Sequence, residues 1–317
     1  MDKEGHMRRI ILDTDPGIDD ALALMLALAS PEVRIEAVTT VSGNVHVDFT
    51  TRNALALLEL LGRGDIPVAR GSAWPLLRKP VDAAFVHGDN GLGGVVLPEP
   101  RIKAVGKHAV DVIIETILSA PGEISLVPIG PLTNIALAAR REPAIIQQVR
   151  EVLIMGGALL VPGNDTPTSE FNIFADPHAA HIVLHAGWPV RLVALDVTMQ
   201  TPMQREQVDT LVRSGSPVMR VIKQMLDYYF DVFAPAYGVT AFHMHDPLCL
   251  AAAFRPELLS WKPVYVDVEL QGSLTMGETV AYFGRPNIPP PNVLAAVGVD
   301  TKQFIQLFMQ RIEEHFG

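Results

Sequence analysis

Cysteine is almost absent from this chain, in which Cys249 is the one cysteine among 317 residues. A single thiol cannot form an internal disulfide or a cysteine-rich metal site, so we expect no disulfides and a reducing, cytoplasmic setting. Cys249 is predicted to be a small buried apolar residue. Basic residues are also in the minority, with 25 Lys and Arg against 35 Asp and Glu and a formal net charge of −10. We therefore expect no nucleic-acid partner.

Long hydrophobic runs are missing too. No apolar stretch reaches the roughly 18 residues of a membrane span, and no signal-peptide core precedes the first apolar run. We therefore expect a protein that is neither membrane-bound nor exported. The triplet GHM at 5–7 resembles a cloning remnant, which assigns residues 1–6 to an expression vector. The remaining residues, 7–317, are numerous enough to bury a substantial core and are predicted to form a single domain.

Short apolar runs alternate with helical patterns along most of the chain. For example, RRIILD at 8–13 precedes a helical pattern at 21–30, and ISLVPIG at 124–130 precedes another at 132–141. This alternation predicts an α/β fold with a mostly parallel, Rossmann-like central sheet flanked by helices. The rhythm changes from Trp261 to Phe283, where KPVYVDVELQG and ETVAYFG predict an added antiparallel hairpin, attached to the main sheet and joined by a short Gly-containing turn.

Four aspartates, Asp13, Asp15, Asp19 and Asp20, lie within eight positions of the run ILDTDPGIDDALALM at 11–25. Helix N-capping explains one or two of them, since the helix dipole stabilises a carboxylate by only about 0.3 to 1 kcal/mol. Carboxylates crowded together raise one another's pKa unless a cation compensates their charge. Because all the expected ligand atoms are oxygens, the sequence predicts a hard divalent cation, Ca²⁺ or Mg²⁺, at this position.

Six motifs carry a resemblance to a known family. They are DTDPGIDDALAL at 13–24, VSGN at 41–44, VPIGPLTN at 127–134, MGG at 155–157, GNDTPTSEFNIFADP at 163–177 and HDP at 245–247. In this order they resemble the inosine-uridine-preferring nucleoside N-ribohydrolases, and the likeness covers nearly the whole chain. It implies hydrolysis of the N-glycosidic bond of ribonucleosides to free base and ribose, with purine against pyrimidine preference left open. It also implies a homotetramer or homodimer.

The resemblance further implies that the cofactor is Ca²⁺. Its ligands would be Asp15, Asp20, Asp246 and the main-chain carbonyl of Ile129. The family usually carries Thr at this last position. Because the ligand is a carbonyl oxygen, we expect the Ile129 side chain to leave the metal shell intact.

Three residues are expected to carry the chemistry. Asp15 would be the general base toward water, and Asn172 would stabilise the cationic transition state. His245 would be the general acid toward the departing base, because an ordinary histidine pKa of about 6.5 suits proton donation near neutrality. A lone histidine is also common as a core or capping residue, and Asp246 before Pro247 suits an N-cap with Pro at N1, so a purely structural role for His245 stays open. The expected substrate contacts are Asp19, Asn44, His87, Met155, Asn164, Glu170, Phe171, Asn172, Phe233 and Tyr237.

Loops rich in Gly, Pro and Asn at 87–100, 161–169 and 284–292 are long enough to be functional. The first contains His87, which the family places near the base. Phe171, Phe233 and Tyr237 would line the base pocket, although each could equally be a core residue. One class of the family stacks purines on tryptophan and lacks the histidine before Asp-Pro. The three tryptophans here fall outside the site motifs, so the sequence favours the class without tryptophan.

Two other functions are compatible with parts of the sequence. The DTD at 13–15 is similar to the start of haloacid-dehalogenase-type phosphatases, in which the first aspartate is a phosphorylated nucleophile. Those enzymes resemble a DxDx[TV] pattern, whereas position 17 here is Gly. A non-catalytic sugar- or nucleoside-binding protein can also use an α/β fold and Ca²⁺. Such proteins are usually exported and two-domained, and neither a signal peptide nor a clear hinge is visible here.

Overall fold

The computed structural model describes residues 7–284 and 289–317. The predicted vector remnant at 1–6 and part of the predicted loop at 284–292 lie outside the described residues. The strands are β1 (Arg8–Thr14), β2 (Val33–Thr40), β3 (Val68–Arg70), β4 (Ile124–Pro128), β5 (Glu151–Met155), β6 (Val190–Val193), β7 (Pro202–Met203), β8 (Phe242–His243), β9 (Leu259–Val268), β10 (Thr279–Tyr282) and β11 (Val293–Val299).

The α-helices vary from single turns to sixteen residues. They are α1 (Ile18–Leu28), α2 (Val47–Leu60), α3 (Ala84–His87), α4 (Ala109–Ser119), α5 (Thr133–Arg141), α6 (Phe171–Ala175), α7 (Pro177–Leu184), α8 (Leu195–Thr198), α9 (Arg205–Leu211), α10 (Pro217–Tyr228), α11 (Ala234–Tyr237), α12 (His245–Phe254) and α13 (Thr301–Phe316). A π-helical turn, Tyr229–Phe233, joins α10 to α11. Within the described ranges, no helix combines the length and the apolar character needed to cross a bilayer.

The main sheet has the strand order β10-β9-β11-β6-β5-β4-β1-β2-β3. Seven neighbouring strands of this sheet, β3-β2-β1-β4-β5-β6-β11, are parallel to one another. The first six of them, β3-β2-β1-β4-β5-β6, have the strand order of a Rossmann sheet. The predicted fold class is therefore confirmed. A separate small sheet pairs β7 with β8 in antiparallel orientation.

The predicted hairpin is confirmed as the pair β9 and β10, which is antiparallel from Thr279 opposite Val268 to Tyr282 opposite Tyr265. Two details differ from the prediction. The connection spans 269–278 and is longer than a tight turn. In addition, the last strand, β11, inserts between β6 and β9, so the hairpin joins the parallel part of the sheet through an antiparallel neighbour.

The central strand β1 is covered on both faces because its side chains alternate between two cores. Ile10 and Leu12 contribute to the cluster that contains α1, whereas Ile11 contributes to the cluster on the opposite face. Helix α1 is rich in Ala and Leu and is buried along most of its length, where it packs against α12. Cys249 of α12 is buried in this cluster, as the sequence predicted.

The chain reverses its direction of winding between β1 and β4, and this point positions the site. Asp13 pairs with Pro128, and the Ile129 N–H donates to the Asp13 carbonyl at 2.8 Å. The loops that follow both strands therefore leave the sheet side by side. Ligands in open α/β sheets bind at such a switch point, outside the carboxyl ends of the strands.

Asp176 fixes the junction between α6 and α7. Its carboxylate is buried, and Oδ1 accepts the Ala179 N–H at 3.0 Å as the N-cap of α7. Its Oδ2 accepts the Thr133 hydroxyl at 2.8 Å and the Leu76 N–H at 2.8 Å. One carboxylate thus joins α5, the loop around residue 76 and the end of α6.

We expect Asp176→Ala to lower the free energy of unfolding by about 2 to 4 kcal/mol, because it removes a helix cap and leaves buried donors without partners. Asp176→Asn is the matched control, since an amide oxygen keeps one acceptor, and its loss should be smaller. Urea unfolding at fixed protein concentration measures both. A loss below about 1 kcal/mol for the Ala variant would show that the junction does not depend on this carboxylate.

Candidate active site

A cavity of about 610 Å³ opens at the carboxyl ends of β1, β4 and β5. All of the residues predicted to form the site line it, except Asp15 and Asp20. Those that line it are Asp19, Asn44, His87, Ile129, Met155, Asn164, Glu170, Phe171, Asn172, Phe233, Tyr237, His245 and Asp246. No tryptophan is among its described lining residues.

Asp15 and Asp20 are buried next to the cavity without lining it. Carboxylate oxygens of Asp19, Asp20 and Asp246 lie within 4.8 Å of one another. Burial, then the charges of Asp20 and Asp19, raise the pKa of Asp15 well above its ordinary value. The pKa of Asp246 is also raised well above its ordinary value, chiefly by burial and then by the charges of Asp19, Asp20 and Asp15. The structure therefore brings four carboxylates, from the start of the chain and from α12, into one acidic cluster.

Neutral donors from the end of β1 and from the loops after β1 and β2 hold Asp20, one member of the acidic cluster. Asp20, in the first turn of α1, accepts the Thr14 hydroxyl and the Asp15 N–H with Oδ1. Its Oδ2 accepts the Gly17 N–H and the Asn44 amide, each at 2.9 Å. Asp20 thus also supports the start of α1, which is the role that helix capping predicted for one of the aspartates.

Two glycines allow the Asp15 carboxylate to fit between its neighbouring loops. A Cβ on Gly43 would lie 2.1 Å from Asp15 Oδ2, and a Cβ on Gly130 would lie 2.3 Å from Asp15 Oδ1. The Asn44 N–H donates to Oδ2 at 2.6 Å. Among the described atoms, Oδ1 is buried and has no hydrogen-bond partner.

The acidic cluster fits a hard divalent cation. Its donors are carboxylate oxygens, one of which lacks a protein partner. The described lining residues include no Lys or Arg that could compensate their charge. The Ile129 carbonyl, also predicted as a ligand, lies in the cavity wall and accepts the Asn172 amide at 2.9 Å, which leaves its second lone pair. Oxygen donors of this kind suit Ca²⁺ or Mg²⁺ better than zinc.

A polar wall is built around the N-terminus of α6. Glu170 is the N-cap, and its carboxylate accepts the N–H groups of Asn172, Ile173 and Gly157 at 2.9 to 3.1 Å. Burial nevertheless raises the pKa of Glu170 to about 7. Asn164 accepts the Phe171 N–H at 3.0 Å, which joins the loop at 161–169 to this helix.

Two neutral histidines face the same cavity. His87, at the end of the single-turn helix α3, accepts the Ile18 N–H with Nδ1 at 3.0 Å, and burial lowers its pKa to about 4. His245 begins α12, and its Nδ1 lies 2.8 Å from the Thr198 hydroxyl. Burial, then the charges of His243 and His87, lower the pKa of His245 to about 3. The ordinary pKa expected for His245 is therefore not found, because burial disfavours the charged ring.

An aromatic group lies at the mouth of the cavity. The rings of Phe233 and Tyr237 are stacked with centroids 4.8 Å apart, and Phe85 lies 5.5 Å from Tyr237. Tyr229 contacts Phe233 from the π-helical turn, at 4.9 Å. Tyr237 is 57% exposed and Phe85 is 46% exposed, so neither is a core residue.

Several residues that line the cavity were not predicted from the sequence. They are Ala83, Phe85, Val86, Asp165, Met199, Tyr229, Val239, Phe242 and His243. The spacing of Tyr229, Phe233 and Tyr237 at every fourth position could have predicted one shared helix face. Phe85 carried no comparable signal, because its contacts with Phe233 and Tyr237 depend on a distant part of the chain.

Asp13 does not have the surroundings that a phosphatase nucleophile needs. It is fully buried, and its Oδ2 accepts the Thr39 hydroxyl at 2.6 Å and the Asn134 amide at 2.8 Å. It does not line the cavity, and burial raises its pKa to about 7 without a contribution from the acidic cluster. Asp13 is therefore a structural link between β1, β2 and α5.

Comparisons with known proteins agree with this geometry. Residues 10–306 match the family model described as inosine-uridine preferring nucleoside hydrolase. A probable uridine nucleosidase 2 from Arabidopsis thaliana is 40% identical over 319 residues, which cover 98% of this chain and 99% of that protein. The pyrimidine-specific ribonucleoside hydrolase RihA from Citrobacter koseri is 40% identical over 306 residues, covering 96% and 97%.

A solved structure extends the likeness to three dimensions. The purine-preferring ribonucleoside hydrolase from Gardnerella vaginalis has a TM-score of 0.92 and 35% identity to this chain, covering 97% of this chain and 99% of that one. The resemblance seen in the motifs is thus confirmed over nearly the full length. This chain belongs to the inosine-uridine preferring nucleoside hydrolase family.

Proposed function

We propose that this protein hydrolyses the N-glycosidic bond of ribonucleosides to free nucleobase and ribose, with Ca²⁺ bound at the acidic cluster. The observation that carries the proposal is a buried group of four carboxylates beside a cavity with a polar wall and an aromatic mouth. Its volume of about 610 Å³ lies in the range of small-molecule sites. The named relatives include a pyrimidine-specific and a purine-preferring enzyme, so both base classes belong to the proposal.

Cleavage of an N-ribosyl bond passes through a ribosyl group with oxocarbenium character. The enzyme must supply water on one face of the sugar and assist the departing base on the other, as in inverting glycosidases. When bound, Ca²⁺ acts as a Lewis acid toward water and toward the vicinal ribose hydroxyls. The ligands would be Asp15, Asp20, Asp246 and the Ile129 carbonyl. The side chains around these ligands would take part in proton transfer and in stabilising the ribosyl cation.

Asp15 is the proposed general base. Its Oδ2 is held by the Asn44 N–H, and its Oδ1 has no partner among the described atoms, so Oδ1 is the oxygen available to take a proton from water.

Asn172 is the proposed stabiliser of the ribosyl cation. Its Nδ2 donates to the carbonyls of Ile129 at 2.9 Å and Met155 at 3.3 Å. The amide oxygen is therefore the end of the side chain that can accept from, or lie against, an electron-poor sugar. Asn164 and Glu170 fix this wall, and Asp19 accepts from the ribose 2′-hydroxyl. These contacts favour the transition state when they strengthen as positive charge develops.

His245 is the proposed donor to the departing base. Because its ring is neutral, the group that it offers is an N–H rather than an imidazolium, and donation from Thr198 to Nδ1 would place that proton on Nε2. Phe233, Tyr237 and Phe85 would then hold the base by stacking at the mouth. His87 lies beside this region of the cavity.

Two further sequence predictions belong to the same proposal. Residues 7–317 would act as one domain, because the acidic cluster joins α1 near the start of the chain to α12 near its end. Assembly as a homotetramer or homodimer is proposed from the family resemblance, and a cytoplasmic location from the single cysteine.

Chelation tests the metal. We expect ribose release from inosine, adenosine, uridine and cytidine to stop after exhaustive treatment with EGTA and to return with Ca²⁺ more fully than with Mg²⁺. The reason is that Ca²⁺ accepts about six to eight oxygens in flexible geometry, whereas Mg²⁺ demands a near-ideal octahedron. 2′-Deoxyinosine should be the poorest substrate, since it lacks one hydroxyl. A reducing-sugar assay measures all five. Undiminished release after chelation would exclude the metal proposal.

Substitution of Asp15 tests its proposed role as general base. Asp15→Asn should lower kcat by a factor of about 10² to 10⁴, which is the range of general-base assistance. The circular dichroism spectrum and the urea unfolding curve should stay close to those of the unsubstituted protein. Asp196→Asn is the control at the same sheet edge. Asp196 accepts the N–H groups of Leu159 and Leu160 and does not line the cavity, so this variant should keep its activity. Near-normal turnover by Asp15→Asn would remove Asp15 from the mechanism.

The role of His245 predicts a dependence on the leaving group. His245→Ala should slow inosine and uridine strongly and should spare 4-nitrophenyl ribofuranoside, whose leaving group departs without a proton. The measurement is kcat/KM for each substrate in both proteins. An equal loss on every substrate would instead indicate that His245 supports the structure of the site.

A further inference from the structure

A second group of metal-binding side chains lies outside the cavity. His181 and His185 belong to α7 and the residue that follows it, and Asp267 belongs to β9. One potential ligand atom from each of the three residues lies within 4.8 Å of the other two. We propose that His181, His185 and Asp267 form a binding site for a divalent transition metal ion such as Zn²⁺, separate from the acidic cluster.

Helical spacing places the two imidazoles together. Residues four positions apart lie on the same face of a helix, and two histidines at this spacing are a common pair of zinc ligands. Here the ring centroids are 4.3 Å apart. The pair is therefore arranged for binding to one ion.

The third proposed ligand, Asp267, comes from strand β9. Asp267 Oδ1 lies 3.0 Å from His181 Nδ1 and 3.7 Å from His185 Nε2. The Val268 N–H donates to the same oxygen at 2.8 Å, which restrains the carboxylate. Asp267 shares a face of β9 with Tyr265, whose ring packs edge-on against His185.

The hydrogen bonding of His185 prepares one nitrogen for coordination. Its Nδ1 lies 2.9 Å from the His181 carbonyl oxygen, which can only accept, so the proton is on Nδ1. The lone pair is consequently on Nε2, the nitrogen that faces Asp267. Zinc-ligating histidines typically donate their second N–H to a carbonyl or carboxylate in this way. The Tyr265 hydroxyl lies 3.3 Å from the same nitrogen.

The donor set and exposure favour a transition metal over Ca²⁺. Two imidazole nitrogens and one carboxylate suit Zn²⁺, Co²⁺, Ni²⁺ or Cu²⁺, whereas hard cations prefer oxygen alone. The side chains are 39%, 27% and 38% exposed for His181, His185 and Asp267, so an ion can enter from solution and keep water as its fourth ligand. Bound there, it would connect α7 to β9 across 86 positions of sequence.

The test measures binding directly, in the full-length protein with Ca²⁺ in excess to occupy the acidic cluster. Equilibrium dialysis with Zn²⁺, and the visible absorption of Co²⁺, should show one equivalent more in the unsubstituted protein than in His185→Ala. Asp267→Asn, which keeps an acceptor for the Val268 N–H, should also weaken the affinity by more than about tenfold. Saturating Zn²⁺ should raise the Tm of the unsubstituted protein by several degrees and leave that of His185→Ala unchanged.

His178→Ala is the control on the same helix, because His178 is outside the three-residue group. It should retain the extra equivalent of Zn²⁺. Circular dichroism identifies any variant that fails to fold, and the Asp267→Asn result then decides. Equal Zn²⁺ stoichiometry and affinity in the unsubstituted protein, His185→Ala and Asp267→Asn would overturn the proposal, as would a loss shared by His178→Ala. Either result would show that the three residues contact one another without binding a metal ion.

Discussion

Repulsion between the buried carboxylates of the acidic cluster is the interaction that the rest of the site must offset. Moving a charged carboxylate out of water costs several kcal/mol even after relaxation, and neighbouring like charges add to that cost. Asp20 recovers part of it through four neutral donors. Asp15 receives one donor on Oδ2 and no described donor on Oδ1. The proposed cation would provide the remaining compensation, and no lysine or arginine is among the described residues that line the cavity.

The topology explains how such distant residues meet. The reversal of winding between β1 and β4 exposes the loops after both strands at one edge, and Gly43 and Gly130 let those loops close around Asp15. Helix α12 packs along α1, which places Asp246 beside Asp19 and Asp20. The acidic cluster is therefore a consequence of helix packing as much as of the aspartate motif. The packing of α1 against α12 therefore links the geometry of the acidic cluster to the stability of the fold.

The alternation of apolar runs and helical patterns was sufficient to predict the sheet, its parallel character and the antiparallel hairpin, because these follow from local periodicity. The insertion of β11 between β6 and β9 was not predictable in this way, since pairing depends on the packing of the complete sheet. The motif residues predicted most of the cavity wall. Phe85 and the lowered pKa of His245 escaped prediction because both arise from contacts between distant segments. The His181 and Asp267 pair is 86 positions apart and escaped for the same reason.

The electrostatic arrangement of the cavity suits the proposed reaction. In the proposed reaction, positive charge that develops on ribose would be stabilised by the adjacent carboxylates and by the dipole of the Asn172 amide. A cationic histidine in the same region would oppose that charge. Burial keeps His87 and His245 neutral near pH 7, so each can form hydrogen bonds without adding a positive charge. The low polarity that lowers the pKa of the two histidines also raises the pKa of Asp15. Burial at the carboxyl edge of the sheet therefore disfavours the charged form of all three side chains, and the proposed cation would offset that effect at Asp15.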